Sequence, residues 1–168
     1  LSDAFSFAGL LITYGVLRAA AAVWWPANEP DFGINFTAGL TFLLICSSVT
    51  MVMAVAAAKE DKRGQTLFFL GLTIVGGVLF LVGQYKEYFG IGGPGLIAEG
   101  LRFGASHRAT TFFLLTGFHG LHVFSGVVYL SVVWLFTAAG RFKGGRADAL
   151  EVAGLFWHFV DLVWILVF

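Results

Sequence analysis

The sequence predicts an all-α membrane protein, a polytopic transmembrane bundle of five helices. Three observations predict it. Of 168 residues, 58% are hydrophobic and 12% charged, and the mean hydropathy is +0.87. A soluble domain carries about 25% charged residues, and so little charge could not cover so much apolar surface in water. The apolar residues also fall into five long runs, and a bilayer core of about 30 Å needs roughly 20 apolar residues per helix. Finally, the runs are continuous rather than alternating and about twice the length of a strand, which disfavours a β-barrel.

The five runs follow in order. The first covers about residues 1–25 and stops before Pro26. The chain begins at Leu1 without methionine, directly in apolar sequence, so further residues are expected upstream. The second run covers about 36–58 and the third about 65–89. The fourth, about 107–138, exceeds a bilayer span even when tilted, so its ends should protrude. The fifth covers about 150–168. Small residues within the runs (Gly71, Gly76, Gly77, Gly83, Gly117, Gly120 and Gly126) would let helix backbones approach closely. Neither a repeat nor a separate soluble module is evident, so residues 1–168 read as one transmembrane domain.

The connections set an orientation. Residues 26–35 hold no Lys or Arg, whereas the second connection holds Lys59, Lys62 and Arg63, and the fourth holds Arg141, Lys143 and Arg146. Short cytoplasmic loops collect Lys and Arg. Helix one should therefore start on the cytoplasmic side and the C-terminus should end outside. The third connection, with Arg102 and its bordering Lys86 and Arg108, pulls weakly the other way. Trp24, Trp25 and Trp134 stand near helix ends, as interfacial anchors do.

Composition excludes several function classes. Ten basic residues balance ten acidic ones, so no global charge points to nucleic acid. The single cysteine, Cys46, lies in an apolar run and reads as a small hydrophobe. No hydrolase elbow, phosphate loop or zinc-protease motif occurs. The glycine-rich residues 90–95 (GIGGPG) lack the ending of a phosphate loop and read as a flexible external connection.

Ionisable groups at membrane depth are costly and need partners. The candidates are Asp3, Glu87, His119, His122, Glu151, His158 and Asp161. At 1.5 Å per residue, His119 and His122 lie about 14 and 18 Å from the outer end of helix four. His158 and Asp161 lie about 12 and 17 Å from the inner end of helix five, so both pairs fall near the midplane. Each pair is spaced i,i+3 and shares a helix face. The four groups would meet in one buried cluster if helices four and five pack together, with Asp161 accepting a histidine N–H. Three readings compete for this cluster: satisfied polar groups joining helices, a surface facing a partner subunit or lipid, and a haem or metal site. Glu87 reads as a solvated helix end. Glu151, opening helix five, reads as complementing the helix N-terminus. Asp3 becomes a buried carboxylate if its helix begins further upstream.

The motifs then gain a resemblance. Residues 116–123 (TGFHGLHV) and 156–164 (FWHFVDLVW) resemble signatures of subunit III of haem–copper terminal oxidases, the cytochrome c oxidase type. Residues 1–9 (LSDAFSFAG), 35–50 (with LLICSSVT) and 84–88 (QYKEY) are similar to further family segments, in family order and across nearly the whole chain. The resemblance implies a five-helix form that lacks the first two helices of the seven-helix subunit. It implies an accessory subunit without cofactor, with haems and copper in subunits I and II and none of the seven residues a ligand. Asp3 takes the place of an intramembrane glutamate that the family links to lipid binding and proton uptake. Subunit I is the main partner implied, with subunit II and a small subunit IV beside it, and phospholipid as bound ligand. The setting implied is the inner membrane of a bacterium. A subunit of a quinol oxidase or of a nitric oxide reductase remains open as an alternative, as does a membrane cytochrome with His-ligated haem. A transporter would call for inverted repeats and broken helices, and neither is evident.

Overall fold

A computed structural model describes residues 2–20, 34–90, 95–97, 100, 103–104, 106–140 and 146–167. It contains five helices: α1 (Ser2–Ala20), α2 (Ile34–Lys59), α3 (Arg63–Phe89), α4 (His107–Ala138) and α5 (Arg146–Val167). The expected continuation of the first helix, with Trp24 and Trp25, lies outside the described residues, as do Arg102, Arg141 and Lys143. Four helices are long and apolar enough to cross a membrane: Asn35–Lys59, Arg63–Phe89, His107–Ala138 and Asp148–Val167. The first expected crossing is present as a helix, but α1 has 19 residues with Asp3 in its first turn and Arg18 in its last. It is also the shortest of the five helices.

Local chemistry explains several boundaries. Ser106 caps α4 by accepting a hydrogen bond from the Ala109 N–H at 3.0 Å. Gly90 ends α3 at φ 72°, a left-handed conformation that suits glycine, and its N–H returns to the Lys86 carbonyl. The turn from α2 to α3 takes only Glu60–Lys62, with Asp61 at φ 54°. Helix α5 begins at Arg146, four residues earlier than the apolar pattern indicated, because the stretch Arg146-Ala147-Asp148-Ala149, with its two alanines as strong helix formers, extends it beyond the apolar run.

Helices α2, α3, α4 and α5 form a closed ring in which each packs on the next and α5 returns to α2; α1 lies outside, chiefly on α4. Small residues make the ring tight. A Cβ added at Gly77 of α3 would come within 2.6 Å of both Trp157 and Val127, and one at Gly76 within 2.8 Å of Ser47. Gly126 of α4 lies against Trp157 and Phe156 in the same way. Gly117 departs from the expectation, since it faces open space. The ring buries Leu44, Met51, Leu70, Phe80, Leu130 and Trp157. Its tryptophans reach across helices: Trp157 donates to Ser47 Oγ at 3.1 Å and Trp164 to Thr41 Oγ1 at 2.9 Å, both on α2. Trp134 also does more than anchor an interface, because its indole N–H donates to the Leu67 carbonyl of α3 at 2.9 Å. Large apolar side chains such as Phe42, Leu121 and Leu155 remain exposed outside the ring. Apolar exposure on that scale marks a surface that meets lipid or protein rather than water.

Candidate functional site

The polar groups at membrane depth divide among three helix contacts instead of forming one hydrogen-bonded cluster. On the α1–α4 contact, His122 Nδ1 lies 2.8 Å from the Phe118 carbonyl, and its Nε2 lies 3.5 Å from Asp3 Oδ1. A carbonyl only accepts, so Nδ1 carries the proton. Nε2 then attracts Asp3 only if one further proton sits on the imidazole or on the carboxyl. The contact joins the start of α1 to the middle of α4. Asp3 itself is half exposed (50%).

On the α2–α5 contact, Ser48 Oγ and His158 Nδ1 share a hydrogen bond. Asp161, one turn further along α5, makes none, and both its oxygens are buried. The expected Asp161–His N–H bond is therefore not made. Ser48 also stands beside Asp161, but its hydroxyl is engaged by His158. With no bond from Asp161 to His158, these residues lack the linked Ser–His–Asp arrangement of a hydrolase.

In the centre of the ring, His119 is wholly buried and both its ring nitrogens lack a hydrogen-bond partner. Its surroundings are aromatic: Trp164 at 4.7 Å, Phe80 at 5.6 Å and Phe7 at 6.4 Å between ring centroids. His119 and His122 share a helix face but look to different neighbours, so spacing alone did not reveal their separate partners.

Glu87 and Glu151 also differ from their expected roles. Glu87 is half-buried and accepts a hydrogen bond from Thr37 Oγ1 of α2 at 2.9 Å. Glu151 is beyond the first turn, because α5 starts earlier than the apolar run; it pairs with Lys59 of α2. Asp148 occupies the first turn instead.

Sequence reasoning missed a cavity of about 320 Å³ at the bundle end where α1 finishes and α4 begins. Tyr14, Thr37, Glu87, Arg108, Phe112 and Trp164 are among its walls. In its wall, Gln84 Nε2 donates to the Thr116 carbonyl at 2.6 Å, and Tyr88 bonds the Thr116 hydroxyl. Gln84, Glu87 and Tyr88 of QYKEY, spaced i, i+3 and i+4 along one face of α3, were the available signal. Among the described residues, no three His, Cys, Asp or Glu side chains stand together as metal ligands would.

A ring of long apolar helices, with isolated polar groups at its helix contacts, defines a polytopic membrane protein with no assembled ligand cluster among the described residues. The sequence model of the family described as cytochrome c oxidase subunit III matches residues 2–168. The chain belongs to the cytochrome c oxidase subunit III family. It is 35% identical over 165 residues to the probable cytochrome c oxidase subunit 3 of Nocardia farcinica, covering 98% of this chain and 78% of that protein. It is 34% identical over 165 residues to cytochrome c oxidase subunit 3 of Synechocystis, covering 96% and 66% respectively. The Corynebacterium diphtheriae subunit 3 is 35% identical over 161 residues, covering 95% and 76%.

Proposed function

We propose that this chain is the accessory, cofactor-free subunit III of a bacterial proton-pumping terminal oxidase, in which oxygen is reduced to water by other subunits. It acts as one transmembrane domain that packs against subunit I, stabilises it, holds phospholipid and supports proton uptake there. Subunit II and a small subunit IV complete the assembly. The observation that carries this reading is family membership along residues 2–168. The proximity of the Asp3 carboxylate and the His122 imidazole, two groups able to take up protons, supports the proton-related part. The exposed apolar faces support a partner and lipids around the ring.

In this reading the chain sits in the bacterial inner membrane and α1 is a fifth crossing, starting on the cytoplasmic side. The end of the ring that carries Lys59, Lys62 and Arg63 faces the cytoplasm, in keeping with the positive-inside rule. At that end Arg63 donates to the Ala138 carbonyl, joining α3 to α4. The cavity then opens toward the outer face.

The experiment is to purify the membrane complex through this chain, identify the large subunit that accompanies it, and then strip this chain away. An oxidase subunit I should co-purify, and oxygen reduction should decay faster over repeated turnovers once the chain is gone. A complex of unchanged activity and unchanged lifetime refutes the stabilising role.

A further inference from the structure

Among the described residues, four buried side-chain atoms have no hydrogen-bond partner: Nδ1 and Nε2 of His119 in the centre of the ring, and both carboxyl oxygens of Asp161 on the α2–α5 contact. His119 is 0% exposed and Asp161 5%. The two residues belong to adjacent helices, α4 and α5, and flank the same tryptophan. Trp164 lies one turn beyond Asp161 on α5, and its ring rests 4.7 Å from that of His119.

The surrounding side chains do not meet these polar needs. The rings around His119 present carbon faces and edges, and the Trp164 N–H is already donated to Thr41. Ser48, the hydroxyl beside Asp161, also bonds His158 and carries a single proton, so it can meet at most one of the carboxylate's acceptor positions. A buried donor or acceptor without a partner costs about 1–3 kcal/mol, and more if charged. Native folds meet such groups with ordered water, which makes about three hydrogen bonds to polar groups that would otherwise lack them.

A supply of water is close. The 320 Å³ cavity is walled by Trp164 and by Leu115 and Thr116, which stand one turn before His119 on α4. Its deep end therefore reaches within one side-chain layer of His119. Gln84, Glu87 and Arg108 in its walls make it wettable.

We propose that Asp161 and His119 form a buried water-binding site at the centre of the bundle, filled from this cavity past Trp164. Water there donates to Asp161 and exchanges hydrogen bonds with the imidazole. This gives each helix a polar tie that the side chains alone do not make. The site belongs to the chain's own fold, so it stands whichever large subunit accompanies it.

The test is an experimental map of the complex that co-purifies with this chain, at a resolution that shows ordered water. Wild type should show at least one water within hydrogen-bonding distance of Asp161 or His119, and Asp161→Asn should keep it. Asp161→Leu should lose the water that touches Asp161. A dry wild-type site, with Asp161 bonded directly to His119 or Ser48, overturns the proposal. So does an Asp161→Leu map that keeps the same water unchanged. Where Asp161→Leu does not assemble, the wild-type and Asp161→Asn maps decide between the same two outcomes.

Discussion

The ring α2–α5 and the outlying α1 solve the same problem in different ways. Every helix of the ring has two helical neighbours, and glycines at Gly76, Gly77 and Gly126 bring their backbones together. Helix α1 has one principal neighbour, and among its described side chains only Phe7 is buried, at 2% exposure. Gly9 and Gly15 of α1 face open space. The ring is held by shape, with indole N–H bonds added; α1 is held by one aromatic plug and one acid–imidazole pair. In lipid, where apolar burial between helices is not itself a driving force, close packing separates a firm contact from a loose one. The difference predicts that the ring tolerates little change in volume, whereas α1 can be released while the ring persists.

The largest effects should come from the ring. Gly77→Leu drives a side chain into Trp157 and Val127 and should cost about 1–3 kcal/mol or more, as overpacking does. Trp157→Ala removes the largest wholly buried side chain and should cost about 3–5 kcal/mol. Both should appear as loss of the folded chain from detergent-solubilised membranes on heating. If both variants melt like wild type, the ring is not the tightly packed body described above. Next comes Phe7, whose ring lies 4.9 Å from Phe118, 5.0 Å from His122 and 6.3 Å from Phe159. Phe7→Ala should also cost about 3–5 kcal/mol, but only at the α1–α4 contact. A cysteine cross-link between α1 and α4 should weaken while the melting of the ring stays the same. Loss of the whole fold would erase the contrast between the two regions.

A smaller effect tests the polar half of the α1 contact. Asp3→Leu and His122→Leu, combined in a double-mutant cycle, should give a coupling of about 0.2–1 kcal/mol, since Asp3 is half exposed and its pair is screened accordingly. A coupling of zero would mean that the acid–imidazole pair adds nothing to the attachment of α1.

The two regions also differ in how much of them the sequence could tell. Long apolar runs have one economical conformation in lipid, so five helices were legible, with the α3 and α4 bounds close to the observed ones. The polar residues at membrane depth were legible as positions, because charge and imidazole stand out against Leu, Val and Phe. Their partners were not. Helical spacing puts His119 and His122 on one face, but which neighbour each ring meets depends on how α1, α4 and α5 rotate about their axes. Asp3 meets His122, and Ser48 meets His158, only through such rotation. Glu151 was misread because a helix start is set by capping and polar residues as well as by apolar periodicity, and α5 begins four residues ahead of its apolar run. The cavity was invisible for a similar reason: its walls come from all five helices, so no single stretch of sequence records it.

The smallest predicted effect lies in the turn that closes the ring. Glu60 is fully exposed, and Lys62 sits 2.6 Å from its carboxylate. The hydrogen bond and the charge of Lys62 hold the Glu60 carboxyl below the usual range, outweighing the slight opposing effect of burial. A carboxyl whose folded value is depressed contributes stability that is present above its unfolded value and lost as pH falls through the folded one. Glu60→Gln should therefore lower the melting midpoint slightly at about pH 7, and the difference from wild type should shrink as pH falls below the ordinary glutamate value and be lost as the folded carboxyl protonates. Added salt should shrink the neutral-pH difference as well, because an exposed pair is screened within a Debye length. An effect of Glu60→Gln that persists unchanged in acid would assign it to turn geometry next to Asp61, whose φ of 54° already strains this corner, and not to the ion pair.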